Sequence, residues 1–276
     1  MKKEEIPKIR FTWLIHYRCN YRCSYCFYSQ GCGWEILKDK NIYLSVDTWI
    51  KYWKRIYDKY GRCAIIITGG EPFIYPDFFE LINRLSQIHY PINISSNASI
   101  NIELFAKMID PEKVSLSLSF HPEFEDINRF IDKLTILRKH NFDGCINFVA
   151  YPPFIKNINF YKEKLNTIGE RLKIIPFRGI YKDLAYPWSY TQEDLLLMEI
   201  KNDWFERIKK KNNLCIAGKN TALLLPDGTV VRCGQAFYRA IIGNFFDENF
   251  KLLEDSLPCE VEICPCDEDI IWGELN

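Results

Sequence analysis

Between residues 18 and 26 the chain reads RCNYRCSYC and places three thiols, Cys19, Cys23 and Cys26, on one short stretch. Structural zinc and ordinary iron–sulfur clusters each take four protein ligands, so three is one short. Spacings of three residues and then two let a single loop wrap three thiolates around three corners of a cubane. The fourth iron then has no protein ligand and is open to an outside one. Soft thiolates suit iron–sulfur clusters; a zinc ion completed by a distant ligand is the other reading. TGGEP, residues 68–72, is a second reactive stretch. Gly69 and Gly70 have no Cβ to block a close backbone approach. Glu71 can accept hydrogen bonds from a cationic group, and Pro72 fixes the turn. The bland alternative is a tight turn ahead of a helix.

A second group of thiols lies near the C-terminus: Cys215 and Cys233, with Gly228 between them, then Cys259, Cys264 and Cys266. Five thiols suffice to close one four-ligand cluster, or to staple a small unit with zinc. Cysteines one residue apart rarely share a cluster, so one of the last three is expected to be spare. Cys32, Cys63 and Cys145 are scattered, and buried inert thiols are the simplest reading of Cys32 and Cys145. Among other polar candidates, His121 suits a general base or a substrate contact, with Glu123 two residues on. Arg178 suits a carboxylate or phosphate. Tyr181, Asp183, Tyr186 and Tyr190 fall in an irregular aromatic segment that reads as a lid.

These residues need elements to position them. Residues 11–15, 63–68, 92–97, 114–120, 145–151 and 172–177 read as strands. Helical patterns over 46–61, 76–89, 102–109, 126–140 and 160–168 alternate with them. Six β/α repeats predict an α/β fold with a parallel sheet, closing as a partial (β/α)6 TIM-like barrel. Its chemistry belongs at the C-terminal ends of the strands. The cysteine loop follows the first strand and TGGEP ends the second. Ser95, Ser96 and Asn97 end the third, Ser117 and Ser119 share one face of the fourth, Asn147 is on the fifth, and Arg178 follows the sixth. A helix over 191–211, with Thr191 and Asp194 as its capping box, leads to a hairpin turning at residues 226–228. The expected division is 1–190 for the barrel and 191–276 for the connecting helix and a cysteine-rich unit too small to stand without a staple.

Composition narrows the class. Of 276 residues 47% are hydrophobic, enough for a sizeable core, and Lys+Arg equals Asp+Glu at 36 each. That balance gives no footprint for nucleic acid or an anionic membrane. The sequence carries no membrane-length apolar run and no signal-peptide pattern after its basic start, so a cytoplasmic protein is expected. In a reducing compartment, 11 cysteines point to metal or redox chemistry rather than disulfides.

Cys19-x3-Cys23-x2-Cys26, with Tyr25 before the last cysteine, followed by TGGEP at the next strand end, resembles the radical S-adenosylmethionine (SAM) superfamily. The resemblance implies a [4Fe-4S] cluster on the three thiols, whose open iron is chelated by the methionine end of SAM. One electron cleaves the sulfonium, and the 5′-deoxyadenosyl radical abstracts a substrate hydrogen. It implies SAM contacts from Gly69, Gly70 and Glu71 at the methionine ammonium, and from Ser95, Asn97, Ser117 and Ser119 at the carboxylate and ribose. Tyr25 is expected to pack near the adenine. Cys215-x12-Gly228-x4-Cys233 resembles the opening of the SPASM/twitch extension of that superfamily, which implies one auxiliary [4Fe-4S] cluster on Cys215, Cys233 and two of Cys259, Cys264 and Cys266. The final spacing departs from the family's usual C-x2-C. A flavodoxin- or ferredoxin-type electron donor is implied as well. The expected substrate is a small polar molecule (sugar, cyclitol or nucleotide-like), with a peptide as the alternative. A non-catalytic metal carrier fits TGGEP poorly.

Overall fold

The computed structural model describes residues 6–30, 40–201, 214–234 and 240–260. Cys32, Cys264 and Cys266 lie outside the described residues. So does most of the second half of the helix expected over 191–211.

Six parallel strands, β1 (Arg10–His16), β2 (Ala64–Gly69), β3 (Ile92–Ser96), β4 (Val114–Ser119), β5 (Gly144–Ala150) and β6 (Leu172–Pro176), lie side by side in chain order. A short helix, α1 (Phe27–Gln30), follows the cysteine loop. Longer helices occupy the crossovers: α2 (Val46–Tyr60), α3 (Phe78–Leu85), α4 (Ile102–Met108), α5 (Ile127–Lys139) and α6 (Ile158–Asn166). This is a mixed α/β fold of the partial-barrel kind.

Local chemistry sets the helix bounds. Ser45 caps α2, its hydroxyl accepting from the Thr48 N–H at 3.3 Å. Gly61, at φ 73°, ends the helix by donating its N–H to the Tyr57 carbonyl. Val46, Trp49, Trp53 and Ile56 recur at helical spacing and are buried. Trp49 and Trp53 pack on Trp13 of β1, with ring centroids 4.5 and 5.4 Å apart. Along β4, Val114, Leu116 and Leu118 are buried, while Ser115, Ser117 and Ser119 alternate with them on the half-exposed face. The helix-side layer makes the core, and each fully buried Leu or Phe in it contributes about 1.5–3 kcal/mol.

After β6 come a hairpin, β7 (Gly179–Tyr181) with β8 (Leu184–Tyr186), and α7 (Gln192–Leu197). The Thr191–Asp194 capping box is present. However, α7 ends at Leu197, short of the expected span: the Lys162 ammonium takes the Leu197 carbonyl at 3.1 Å, and Glu199 adopts a left-handed φ of 57°. The C-terminal part contributes β9 (Leu214–Cys215), β10 (Thr221–Leu224), β11 (Thr229–Val231), β12 (Ile241–Asn244) and β13 (Leu257–Pro258). The turn at residues 226–228 forms as expected, with Gly228 at φ 84°. Strand β10 pairs in parallel with the free side of β1, and β11 and β12 follow antiparallel. One nine-stranded sheet therefore spans both parts of the chain. No described helix is long and apolar enough to cross a membrane.

Candidate functional site

A cavity of about 740 Å³ opens at the C-terminal ends of the strands. Cys19, Cys23 and Cys26 line it from the loop after β1, Gly69 and Gly70 from β2, and Ser95 to Asn97 from β3. Ser119, His121 and Arg178 also reach it, together with Lys173, a cation on β6 that its strand pattern alone did not single out.

The glycine pair does something specific here. A Cβ on Gly70 would sit 1.8 Å from the Arg18 carbonyl oxygen, and one on Gly69 would sit 2.2 Å from that of His16. Those are backbone atoms, so no side chain can yield. The end of β2 thus lies against the end of β1, joined by Gly70 N–H to His16 O at 2.9 Å and Glu71 N–H to Arg18 O at 2.8 Å. Arg18 immediately precedes Cys19, so this contact sets where the cysteine loop starts.

Glu71 was expected at the methionine ammonium. It is fully buried and does not line the cavity. One carboxylate oxygen accepts from the Ser96 hydroxyl at 3.0 Å and the Phe73 N–H at 3.2 Å; the other accepts from the Asn97 N–H at 2.7 Å. Burial pushes its pKa up to about 7, against the pull of those donors. Through these bonds the Glu71 side chain fastens the end of β3 to the end of β2. Ser117 also turns elsewhere: its hydroxyl donates to Asn93 at 2.7 Å, below the cavity.

The cysteine loop is held from three further strand ends. Asn97 Nδ2 donates to Asn20 Oδ1 at 3.0 Å and approaches Cys19 Sγ at 3.8 Å. Asn20, which sequence spacing did not single out, bonds Ser99 at 2.8 Å. His121 Nδ1 lies 2.9 Å from the Tyr25 hydroxyl and 3.5 Å from Cys23 Sγ. The Glu123 carboxylate accepts from both the N–H and the hydroxyl of Ser24. Tyr25 is buried between His121 and Tyr151, ring centroids 5.8 and 5.3 Å away. His121, read from sequence as a general base or a substrate contact, is engaged with the loop, and burial lowers its pKa to about 4. Tyr190, expected in a lid, is a buried latch instead: its hydroxyl donates to Ala150 O at 2.6 Å and accepts from the Phe177 N–H at 2.8 Å.

Burial raises the Cys19 pKa, and burial together with the neighbouring thiol of Cys26 takes Cys23 to about 12. None of these thiols is in a disulfide, and all three line the cavity. That donor set fits a cluster with one iron left for an outside ligand.

The second cysteine set lies elsewhere. Cys215 stands opposite Leu257 in the β9–β13 pair, Cys259 follows that pair, and Cys233 follows β11. None of the three is in a disulfide. β11 runs back along β10, which returns Cys233 to the level where Thr221 meets Arg10. The seven-residue β1 therefore separates the two cysteine sets by about 20 Å along the strand direction.

The Radical SAM superfamily model matches residues 13–154, and the chain belongs to that superfamily. The GTP 3′,8-cyclase of Staphylococcus carnosus is 27% identical over 216 residues, covering 71% of this chain and 57% of the cyclase. The mycofactocin maturase MftC of Mycobacterium ulcerans is 29% identical, covering 88% of this chain and 74% of the maturase. The chain thus spans under two thirds of the staphylococcal cyclases it matches. In fold it resembles anSMEcpe with bound AdoMet, at TM-score 0.66 and 18% identity over 88% of this chain and 76% of that one. It also resembles Streptococcus suis SuiB bound to the precursor peptide SuiA, at TM-score 0.60 and 15% identity over 88% and 64%.

Proposed function

We propose that the chain is a radical SAM enzyme acting on a small polar substrate that carries an anionic group. The observation that carries the first half is that Cys19, Cys23 and Cys26 all line one cavity, on a loop fastened to TGGEP. When bound, the cluster supplies the electron that cleaves SAM to a 5′-deoxyadenosyl radical, which abstracts a substrate hydrogen. The chain's own residues do the rest. Gly69 and Gly70 present bare backbone to the methionine end. Ser95, Asn97 and Ser119 offer polar contacts, and Tyr25 closes the floor. Glu71 orients SAM indirectly, by holding β3 against β2.

The anionic group follows from charge. Lys173 and Arg178 line the β6 wall, and no Asp or Glu is among the described lining residues. Burial lowers the Arg178 pKa, yet a guanidinium stays charged, so the wall attracts carboxylate or phosphate. The C-terminal thiols, at the far end of β1, suit a closed auxiliary cluster that passes electrons rather than one that touches SAM. A flavodoxin- or ferredoxin-type protein is the proposed donor. A peptide substrate is the second reading, favoured by the alignment with MftC over 88% of this chain.

The test is anaerobic reduction of the reconstituted protein with SAM and candidate substrates, reading 5′-deoxyadenosine. Cys23→Ala abolishes its formation; a variant as productive as the parent refutes the mechanism. Lys173→Gln raises KM for an anionic substrate about ten- to a hundredfold, the worth of one charge-assisted hydrogen bond, with little change in kcat. An unchanged KM across phosphorylated and carboxylated candidates refutes the charge argument.

A further inference from the structure

We infer that Arg232 is the counter-charge and positioning residue of the C-terminal cysteine site. The inference rests on the reading of that site as an auxiliary cluster. Arg232 is buried, 4% exposed, and makes no ion pair among the described residues. Its donors all go to backbone carbonyls: Nε to Ala217 at 2.8 Å, Nη1 to Pro258 at 2.7 Å, and Nη2 to Cys215 at 3.4 Å and to Leu257. Two of the four clamp points adjoin a thiol directly. One is the carbonyl of Cys215 itself, another precedes Cys259 directly, and Arg232 is the residue before Cys233. The planar fork of a guanidinium spans both strands of the β9–β13 pair at once, which an ammonium cannot do.

Room for the stem is provided locally. Gly218 adopts a left-handed φ of 91°, and a Cβ there would come within 3.0 Å of Arg232 Cγ and 2.6 Å of Leu253 Cδ1. The chain thus bends a glycine to seat a buried cation beside three cysteines.

Carbonyl dipoles alone compensate a buried charge incompletely, and an uncompensated one costs several kcal/mol. A thiolate-ligated cluster carries net negative charge, because its thiolates outweigh the positive charge of its iron–sulfide core. Thiolates at Cys215, Cys233 and Cys259 would supply an anion that no described residue provides. In return the cation favours the more negative, reduced form of the cluster and raises its potential.

The experiment uses the full chain with Cys19, Cys23 and Cys26 replaced by Ala, reconstituted anaerobically, so that cluster iron reports the C-terminal set. Iron retention against a chelator and the midpoint potential are measured for Arg232, Arg232→Lys and Arg232→Met. Arg232→Met is expected to retain iron about 10–100-fold less well, as for loss of a group supporting a metal ligand, and to titrate at a lower potential. Arg232→Lys keeps the charge and loses the fork: its potential stays near the parent's while its iron leaves faster. Retention and potential unchanged in Arg232→Met overturn the inference. Should that variant be insoluble, parental retention in Arg232→Lys overturns it. Failure of the underlying reading looks different, since the Arg232 parent then takes up no iron and the inference falls with it.

Discussion

Replacing Gly70 with Ala tests the account of how the cysteine loop is held. The added methyl would lie 1.8 Å from the Arg18 carbonyl oxygen, 2.3 Å from its carbon and 2.7 Å from the Tyr17 oxygen. None of these atoms can rotate away, so the ends of β1 and β2 must part. Parting strains or breaks Gly70 N–H to His16 O and Glu71 N–H to Arg18 O, bonds of 2.9 and 2.8 Å. Overpacking costs about 1–3 kcal/mol and each backbone bond about 0.5–1.5 kcal/mol, so the total is about 2–6 kcal/mol. That is a large share of the about 5–15 kcal/mol that holds a typical domain. Arg18 is bonded to Cys19, so the damage centres on the thiols. Gly61→Ala is the control: φ there is 73°, but nothing lies within 4 Å of the new methyl. It costs about 1–3 kcal/mol of backbone strain and leaves the loop alone. The assay is anaerobic urea unfolding with iron per chain measured alongside. Gly70→Ala should lose stability and the iron of the N-terminal site together, whereas Gly61→Ala loses stability alone. A Gly70→Ala protein with full iron and an unshifted midpoint would refute the reasoning.

Two further outcomes follow from buried hydrogen bonds. Glu71 has a folded pKa of about 7 against an ordinary 4.5, so between those values the folded state binds more protons than the unfolded one. Its contribution to stability is full below the unfolded value and declines as pH rises towards 7, at up to about 1.4 kcal/mol per pH unit. Glu71→Gln should flatten that part of the stability–pH curve, measured by urea unfolding between pH 4.5 and 7; an identical slope sinks the assignment. Tyr190→Phe removes a hydroxyl that donates to Ala150 and accepts from Phe177, at 2.6 and 2.8 Å, and should cost about 1–3 kcal/mol. Thermal unfolding reads it, and a lid residue would leave the melting temperature untouched.

Much of the architecture was legible along the chain. The alternation in 114–120 put Val114, Leu116 and Leu118 on the core side and the serines opposite, and the structure keeps that division. The helix over 46–61 was bounded by its own cap and glycine, because both signals are local. The three early thiols were found by spacing alone, since nine residues cannot stray far from one strand end. The helix end at residue 197 was less legible, because a lysine on another element and a left-handed residue beyond it decide it.

By itself the sequence determined the order of strands and helices, the thiols available at each end and the absence of a charge imbalance. Those properties reside in periodicity and composition, which need no partner. Only the tertiary structure decided what the glycines approach, where Glu71 points and which cation sits among the late cysteines. Gly70 meets the β1 backbone because the two strands pair in one register with an irregularity near His16. Glu71 turns inward because Ser96 and Asn97 wait at the adjacent strand end with hydrogen bonds to give. Arg232 lies beside Cys215 and Cys259 because β10 joins the sheet next to β1 and the chain folds back on itself there. Each depends on residues tens to hundreds of positions apart meeting at one place, and local pattern carries no record of such meetings.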